Sequence, residues 1–459
     1  MKKFLSKNGT EIFFILIIII ISAIIRIYLL GKIPTNINGD EVTILSDVYR
    51  ILFAKGDYLF SLMSDSSTVG IILYWYAFWV KLFGFGKTIF ALRFSTTVIS
   101  IFSLILFFLI LRNKTSGFIA FIFTILLSGN YVFLNFSRTA WVNITSVFFG
   151  LAMIFLIEKA ERDKRANIWY ILAGFFAGIS LLGYAYSRVL VPFTILYLIS
   201  RFIYKKNRTL IYAQRVILFC ITAFLVFSPF IIRGITTNSN VIFTRPSATY
   251  AFSKEKVEYG NLKQLIIHQA EYTLRGFLLL DGKVMSEGVE NMRYLPMLTP
   301  PVDILIKYIF ILSLLYGLFR FRKNSIWVYV FISILLTQFL SELPPNFSRG
   351  IFYIVLIYLA CGVFIHNLLV HFINTYKMQN YKNLIYVSLI IFMLALFSYN
   401  VNLYLTWMKE SYEYNARQPA INYKEFPVWQ NYQIDRVKSG LDPVTNYEWY
   451  SLRNKFIDK

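Results

Sequence analysis

The sequence is poor in the residues that usually build metal or redox sites, with two cysteines and three histidines among 459 residues. Cys220 and Cys361 both lie inside apolar runs and provide no disulfide framework. The histidines (His268, His366 and His371) match no paired metal-ligand motif. The sequence also lacks a glycine-rich phosphate-binding loop, which argues against a nucleotide-dependent reaction.

Acidic residues are scarce, with 24 Asp and Glu against 46 Lys and Arg and a net charge of +22. In a soluble protein such an excess would point to nucleic acid. Here much of it lies in short connectors between apolar runs, so it indicates membrane topology, and we expect no nucleic-acid partner. No internal repeat is visible, which argues against a transporter with duplicated halves.

Apolar residues make up 57% of the chain, and the mean hydropathy is +0.58. They occur in runs of about 17–25 residues, the length of a bilayer-spanning helix. The runs do not alternate with a period of two, so they predict an all-α polytopic membrane protein rather than a barrel. The predicted spans are 12–30, 89–111, 116–135, 140–157, 167–183, 188–204, 215–233, 303–319, 326–341, 350–371 and 384–404.

The first run follows Met-Lys-Lys and could be mistaken for a signal peptide. It is too long for the apolar core of a signal and lacks a small-x-small cleavage site, so we expect a retained span. The run 69–83 is ambiguous. If it does not cross the bilayer, every strongly basic short connector falls on one side, as the positive-inside rule demands. We therefore predict an interfacial or re-entrant helix at 69–83.

This topology gives about eleven spans in the cell membrane, with a cytoplasmic N-terminus and an extracytoplasmic C-terminus. Three large pieces then lie outside: the first loop (residues 31–87), the large loop (residues 234–302) and the tail (residues 405–459). We expect residues 1–404 to form a transmembrane catalytic domain and the tail to be an extracytoplasmic extension. Because the connectors on the other face are short, the chemistry is expected outside the cytoplasm.

An acidic pair, Asp40 and Glu41, begins an amphipathic helix in the first loop. One interpretation is helix capping, since Asp is a favoured N-cap and acids suit the positive end of a helix. The other is catalysis, because a carboxylate held in one place can accept a hydroxyl proton. The two are compatible. Asp65, later in the loop, is either a second carboxylate of the site or part of a solvated turn.

Four arginines, Arg93, Arg138, Arg188 and Arg349, fall at predicted helix ends on the outer face, against the topological bias. A charge near membrane depth costs about 2.5–3.5 kcal/mol on insertion scales, so a partner is expected. The guanidinium fork matches a phosphate, and three of these residues are predicted to begin a span and converge. The alternative is snorkelling to lipid headgroups, which we favour for Arg26.

These residues resemble a known family in their order and sidedness. The first loop and its preceding span carry Ile25-Arg26-Ile27-Tyr28-Leu29-Leu30, Pro34, Asp40-Glu41, Tyr49 and Gly56, and Phe-Ser-Arg (136–138), Gly-Tyr-Ala-Tyr-Ser-Arg (183–188) and Leu-Pro-Pro-Asn-Phe-Ser-Arg (343–349) follow. The chain thus resembles polyprenyl-phosphate-sugar-dependent glycosyltransferases of the GT-C class, such as protein O-mannosyltransferases and aminoarabinose transferases. The resemblance covers most of the chain up to about residue 370.

The resemblance implies a GT-C-like fold and an inverting transfer of a hexosyl or pentosyl group, with Asp40 as general base and Glu41 and Asp65 beside it. It also implies that Arg293, in an Asn-x-Arg sequence of the large loop, joins the four arginines at the donor phosphate. Family members often have prolines after an Asp before the interfacial helix. Asp65 is followed here by Ser66-Ser67-Thr68, which departs from that pattern.

Two function classes remain from the sequence alone. The first is a glycosyltransferase with a polyprenyl-phosphate-linked donor and a glycan, lipid or protein acceptor. It needs no cofactor, and with so few carboxylates a divalent metal, which some GT-C members use, is not favoured. The second is a multi-pass transporter or flippase of lipid-linked saccharides, which should show repeats, broken helices and acids near mid-membrane.

Overall fold

The structure, a computed structural model, describes residues 2–35, 37–63, 68–183, 185–204, 210–237, 262–282, 296, 299–320, 327, 330–331, 347–410, 421, 423–444 and 446–452. Over these residues the chain is built from helices, and its extended contacts are two isolated bridges. The helices are α1 Lys2–Ile27, α2 Gly39–Phe53, α3 Gly70–Phe83, α4 Thr88–Arg112, α5 Gly117–Gly129, α6 Tyr131–Arg138, α7 Ile144–Ala160, α8 Ala166–Leu182, α9 Ala185–Tyr204, α10 Leu210–Thr236, α11 Leu262–Thr273, α12 Ile304–Arg320, α13 Phe347–Thr375, α14 Lys382–Glu410, α15 Phe426–Lys438 and α16 Asn446–Leu452.

The helices confirm the predicted all-α membrane class. Among the described residues, five stretches are long and apolar enough to cross a bilayer: Gly9–Ile27, Phe85–Arg112, Leu210–Thr236, Gly350–Thr375 and Met378–Lys409. Helices α8, α9 and α12 contain shorter apolar segments. Most of the predicted span 326–341 lies outside the described residues. The predicted number of eleven spans is therefore not established.

The predicted span 116–135 is not one straight helix. Helices α5 and α6 meet at Asn130 with a bend of 64°. The side-chain oxygen of Asn130 accepts a hydrogen bond from the backbone N–H of Phe133 at 2.9 Å, which caps α6. Its amide nitrogen donates to the carbonyl of Pro301 at 3.0 Å. A capping residue inside an apolar run thus ends one helix and starts another.

Helix α3 occupies the ambiguous run at the end of the first loop. It has 14 residues and is therefore about 21 Å long, less than the roughly 30 Å of a hydrocarbon core. It packs on α4, where the indole of Trp75 donates to the carbonyl of Ser95 at 3.1 Å. This length agrees with the predicted interfacial placement.

The first loop and the tail share a buried apolar cluster. It joins α2 and α3 to α15 and α16 through Leu45, Tyr49, Tyr76 and Trp429, among other side chains. Trp429 of α15 is fully buried, and its ring lies 6.1 Å from that of Tyr49, centroid to centroid. The tail therefore packs on the first loop instead of extending away from it.

Helices α8 and α10 approach closely because two glycines of α8 face α10. A Cβ atom at Gly174 would lie 2.5 Å from the backbone carbonyl oxygen of Phe219, and one at Gly178 would lie 2.8 Å from that of Ala223. Small residues four apart allow such backbone contact between membrane helices. A backbone atom cannot move aside as a side chain can. A side chain larger than that of glycine is therefore not accommodated at position 174 without moving the two helices apart.

We predict that Gly174→Ala lowers the thermal unfolding midpoint in detergent, because its methyl group forces α8 and α10 apart at a cost of about 1–3 kcal/mol. Gly86→Ala is the matched control, since a Cβ atom there meets nothing within 4 Å. Equal midpoints for the two variants would contradict the packing argument.

Candidate functional site

The acidic pair begins α2, as the sequence predicts, but the cap is formed by another residue. Asn38 is the N-cap, and its side-chain oxygen accepts from the backbone N–H of Asp40 at 2.9 Å. Oε2 of Glu41 accepts from the backbone N–H of Asn38 at 3.0 Å, which completes a capping box. The capping interpretation of the acidic pair thus holds for Glu41, but the N-cap itself is Asn38 and not Asp40.

The two adjacent carboxylates have different surroundings. Glu41 is 1% exposed, whereas Asp40 is only partly buried. Successive residues of a helix point in different directions, so one can enter the core while the other stays near the surface. Because the cap uses the side chains of Asn38 and Glu41, the carboxylate of Asp40 is not part of the capping box.

Glu41 forms a buried two-point ion pair with Arg93 of α4. Nε of Arg93 lies 2.8 Å from Oε1 of Glu41, and Nη2 lies 2.9 Å from Oε2. Oε1 also accepts from the backbone N–H of Ala140, in the turn between α6 and α7, at 3.1 Å. The carboxylate thus joins α2, α4 and this turn, and its charge is met by a planar donor fork.

Arg93 also donates to three other protein oxygens. Its Nη1 donates to the carbonyls of Leu30 at 3.3 Å and Pro34 at 3.0 Å, and to the hydroxyl of Tyr423 at 2.9 Å. Arg93 itself is fully buried. Phosphate binding by Arg93 stays a prediction.

Arg138 caps the end of α1. It is the last residue of α6 rather than the first of a span, which corrects the predicted placement. Nη1 donates to the carbonyls of Ile25 and Arg26, and Nη2 donates to those of Tyr28 at 2.8 Å and Ile33 at 3.1 Å. A cation at the carbonyl end of a helix satisfies acceptors and favours the helix dipole. Its proposed phosphate contact is likewise untested.

Arg26 is buried within the bundle. Its Nε donates to the hydroxyl of Ser100 at 3.0 Å, and its Nη1 donates to that of Ser128 at 3.0 Å. The guanidinium also lies 5.5 Å from the ring centre of Phe133. The side chain is 0% exposed, so the snorkelling interpretation is wrong. Small hydroxyl residues on α4 and α5 hold this cation inside the bundle.

Arg26, Arg93 and Arg138 surround the end of α1 and the start of the first loop. Arg138 bonds the carbonyl of Arg26, and Arg138 and Arg93 bond the successive carbonyls of Ile33 and Pro34. Three guanidinium groups and the single carboxylate of Glu41 give this cluster a formal charge of +2 (three minus one). A fixed positive charge in a water-poor region attracts anions strongly.

The other predicted site residues are only partly described. Arg188 lies in the first turn of α9 and is partly buried. Arg349 lies in the first turn of α13, but its side chain is outside the described part of the structure. Asp65 and Arg293 also lie outside the described residues. Their placement near Asp40 therefore stays a prediction.

An apolar groove runs beside the first loop. It has a volume of about 390 Å³ and lies between α3, α4, α7 and α8. Its lining is almost entirely aliphatic and aromatic: Ile71, Ile72, Trp75, Ile99, Phe102, Thr145, Phe148, Phe149 and Ile179. Helix α3 lines the groove and also packs against α2, since Leu73 and Tyr76 of α3 share a buried cluster with α2.

Sequence reasoning missed two residues of this site. Asn38 could have been found, because Asn-x-x-Glu before an apolar run is a capping signature. Tyr423 gives no local signal, since its partner Arg93 is 330 positions away. Among the described residues, no group of three or more His, Cys, Asp or Glu is arranged to hold a metal ion.

Residues 70–232, about a third of the chain, match the family of dolichyl-phosphate-mannose-protein mannosyltransferases. No curated protein matches the chain. The archaeal oligosaccharyltransferase AglB of Archaeoglobus fulgidus was solved with an inhibitory peptide and a dolichol-phosphate. Its structure superposes on 88% of this chain with a TM-score of 0.56 at 11% sequence identity. ArnT of Cupriavidus metallidurans, solved with undecaprenyl phosphate, superposes with a TM-score of 0.53 at 11% identity over 87% of this chain.

This chain has a GT-C-like fold. It spans 56% of the length of AglB and 75% of that of ArnT. At such identities the likeness shows the fold alone. The GT-C-like fold confirms the resemblance that the sequence motifs indicate.

We predict that Glu41→Gln lowers the unfolding midpoint strongly, because it leaves the buried Arg93 uncompensated at a cost of about 3–5 kcal/mol. The double variant Glu41→Gln with Arg93→Met should recover much of this loss, since it removes both charges. Thermal unfolding of the four proteins in the cycle measures the coupling. Additive losses in the double variant would contradict the ion pair.

Proposed function

We propose that this protein is a membrane glycosyltransferase that moves a sugar from a polyprenyl-phosphate donor to an acceptor hydroxyl on the extracytoplasmic face. The observation that carries the proposal is the separation of the two carboxylates at the start of α2. Glu41 is bound in the core by Arg93, whereas Asp40 stays partly exposed beside a buried positive cluster. The GT-C-like fold supports the same reaction class.

In the proposed reaction Asp40 is the general base. It accepts the proton of the acceptor hydroxyl as that oxygen attacks the anomeric carbon. The bond between the anomeric carbon and the donor phosphate oxygen breaks, and the electron pair leaves with the polyprenyl phosphate. Attack from the face opposite the leaving group inverts the anomeric configuration.

Positive charge would stabilise the departing phosphate. The +2 cluster of Arg26, Arg93, Arg138 and Glu41 supplies a fixed field near the start of the first loop. Direct contact with phosphate oxygens is proposed for Arg188, Arg349 and Arg293, whose guanidinium groups match such an anion. No step is assigned to a metal ion.

The apolar groove suits the isoprenoid chain of the donor. It is continuous with the first loop through α3, and its lining offers apolar contacts at the depth of spanning helices. Because the isoprenoid chain of a membrane-bound donor already lies in hydrocarbon, the groove would hold it by van der Waals packing rather than by removal of apolar surface from water. The donor phosphate would then lie near the end of the bundle that carries Asp40.

The transporter alternative gains one feature from the structure, the broken pair α5 and α6. In transporters such a break exposes backbone groups to a substrate or ion. Here Asn130 at the break is fully buried, and its side chain is bonded to Phe133 and Pro301. The break is therefore satisfied by protein, and the glycosyltransferase interpretation is preferred.

We predict that Asp40→Asn lowers kcat for sugar transfer from a polyprenyl-phosphate donor by about 10²–10⁴-fold, the usual contribution of a general base. The capping box and the Arg93 pair do not use this carboxylate, so both should be kept in the variant, and the unfolding midpoint is measured beside the rate. Asp435→Asn, on an exposed position of α15, is the control. Transfer near the wild-type rate would remove Asp40 as the base.

We predict that Ile179→Trp lowers kcat/KM about tenfold for donors with long isoprenoid chains, because the indole occupies the groove. Donors with a truncated chain should lose little. Ile171→Trp, on an exposed position of the same helix, controls for added bulk. Equal losses for long and short donors would show that the groove does not hold the chain.

A further inference from the structure

The tail crosses the first loop just before the acidic pair. Ile421 forms an isolated antiparallel bridge with Ile37, whose backbone N–H donates to the carbonyl of Ile421 at 3.4 Å. Ile37 precedes the N-cap Asn38 directly. A strand-like contact at this point limits how the chain enters α2.

Tyr423 continues this contact to the buried ion pair. Its hydroxyl accepts from Nη1 of Arg93 at 2.9 Å and donates to the carbonyl of Pro34 at 3.0 Å. Nη1 of Arg93 donates to the same carbonyl at 3.0 Å. The three groups form a closed triangle on the edge of Arg93 that faces away from Glu41.

The hydroxyl is suited to this position. Burial raises the pKa of Tyr423, so the phenol keeps its proton at neutral pH and can donate to Pro34 while it accepts from Arg93. A phenylalanine ring would fill the same space without either bond. The hydroxyl therefore contributes by fixing the orientation of the Arg93 guanidinium, and not by filling space.

The rest of the tail anchors the ring of Tyr423. The side-chain amide of Gln430 donates to the carbonyl of Phe85 at 3.1 Å, and Trp429 is fully buried against α2. Arg50 at the end of α2 lies 3.3 Å from the carboxylate of Asp442. The tail is thus attached to α2 near both ends of that helix.

We propose that the tail is a positioning element for the proton-accepting carboxylate and that Tyr423 is its positioning residue. The path runs from the hydroxyl of Tyr423 to Arg93, from Arg93 to Glu41, and along the backbone to Asp40. Tyr423 does not take part in the chemistry itself. This inference rests on the proposed function, in which Asp40 is the base.

The test is the variant Tyr423→Phe, assayed for sugar transfer from a polyprenyl-phosphate donor by the full-length protein. Since a misplacement of about 1 Å can cost about 10²-fold in rate, we expect kcat to fall by about 10-fold to 100-fold. KM for donor and acceptor should stay within about twofold, because Tyr423 contacts neither. The unfolding midpoint should change little, since the ring remains.

Tyr432→Phe is the matched control. It removes a hydroxyl from the same tail, from a ring that packs against Trp449 at 5.8 Å between centroids. We expect wild-type kcat for this variant. A loss of kcat as large as that of Tyr423→Phe would overturn the proposal, because the effect would then not be specific to the hydroxyl that contacts Arg93.

Other outcomes separate this proposal from the proposed function. If Asp40→Asn abolishes transfer but Tyr423→Phe keeps the wild-type kcat, the positioning role is refuted and the function stands. If the loss in Tyr423→Phe only follows a lower folded fraction, the role is structural and the proposal fails. If Asp40→Asn is fully active, the proposed function itself fails.

Discussion

The buried ion pair between Glu41 and Arg93 is the interaction on which the rest of the site depends. Each partner is almost fully inaccessible to solvent, so neither charge is tolerable without the other. The geometry is two-point, Glu41 also accepts from the backbone N–H groups of Asn38 and Ala140, and Arg93 also donates to the carbonyl of Pro34. This one pair therefore sets the relative position of α2, α4, the turn before α7 and, through Tyr423, the tail.

The neighbouring carboxylates of Glu41 and Asp40 therefore have different roles. Glu41 is neutralised in the core and has a structural role, whereas Asp40 stays partly exposed at the helix terminus, where we propose that it meets the acceptor. The backbone connects them directly, so the rigidity of the first is passed to the second. A mobile loop carrying a single aspartate would lack this property, because a proton acceptor must be held close to its target for efficient transfer.

The buried arginines have partners, as predicted, but these partners are groups of the protein itself. Charges placed near membrane depth were expected to have partners, and Arg93, Arg138 and Arg26 do have them. The partners in the structure are a carboxylate, helix carbonyls and serine hydroxyls of the protein. Sequence spacing predicts that a guanidinium must be satisfied, but it does not say whether a ligand or the fold satisfies it.

The helical membrane class, the start of α2 at the acidic pair and the resemblance to GT-C glycosyltransferases could all be predicted from the order of the amino acids. These follow from run length, charge placement and motif order, which are local properties of the chain. Three features needed the folded chain: which carboxylate is buried, the break of a span at Asn130, and the packing of the described part of the tail on the first loop. Such contacts join residues as far apart as Arg93 and Tyr423, and their partners are chosen by packing and by the need to neutralise buried charge, which no local pattern encodes.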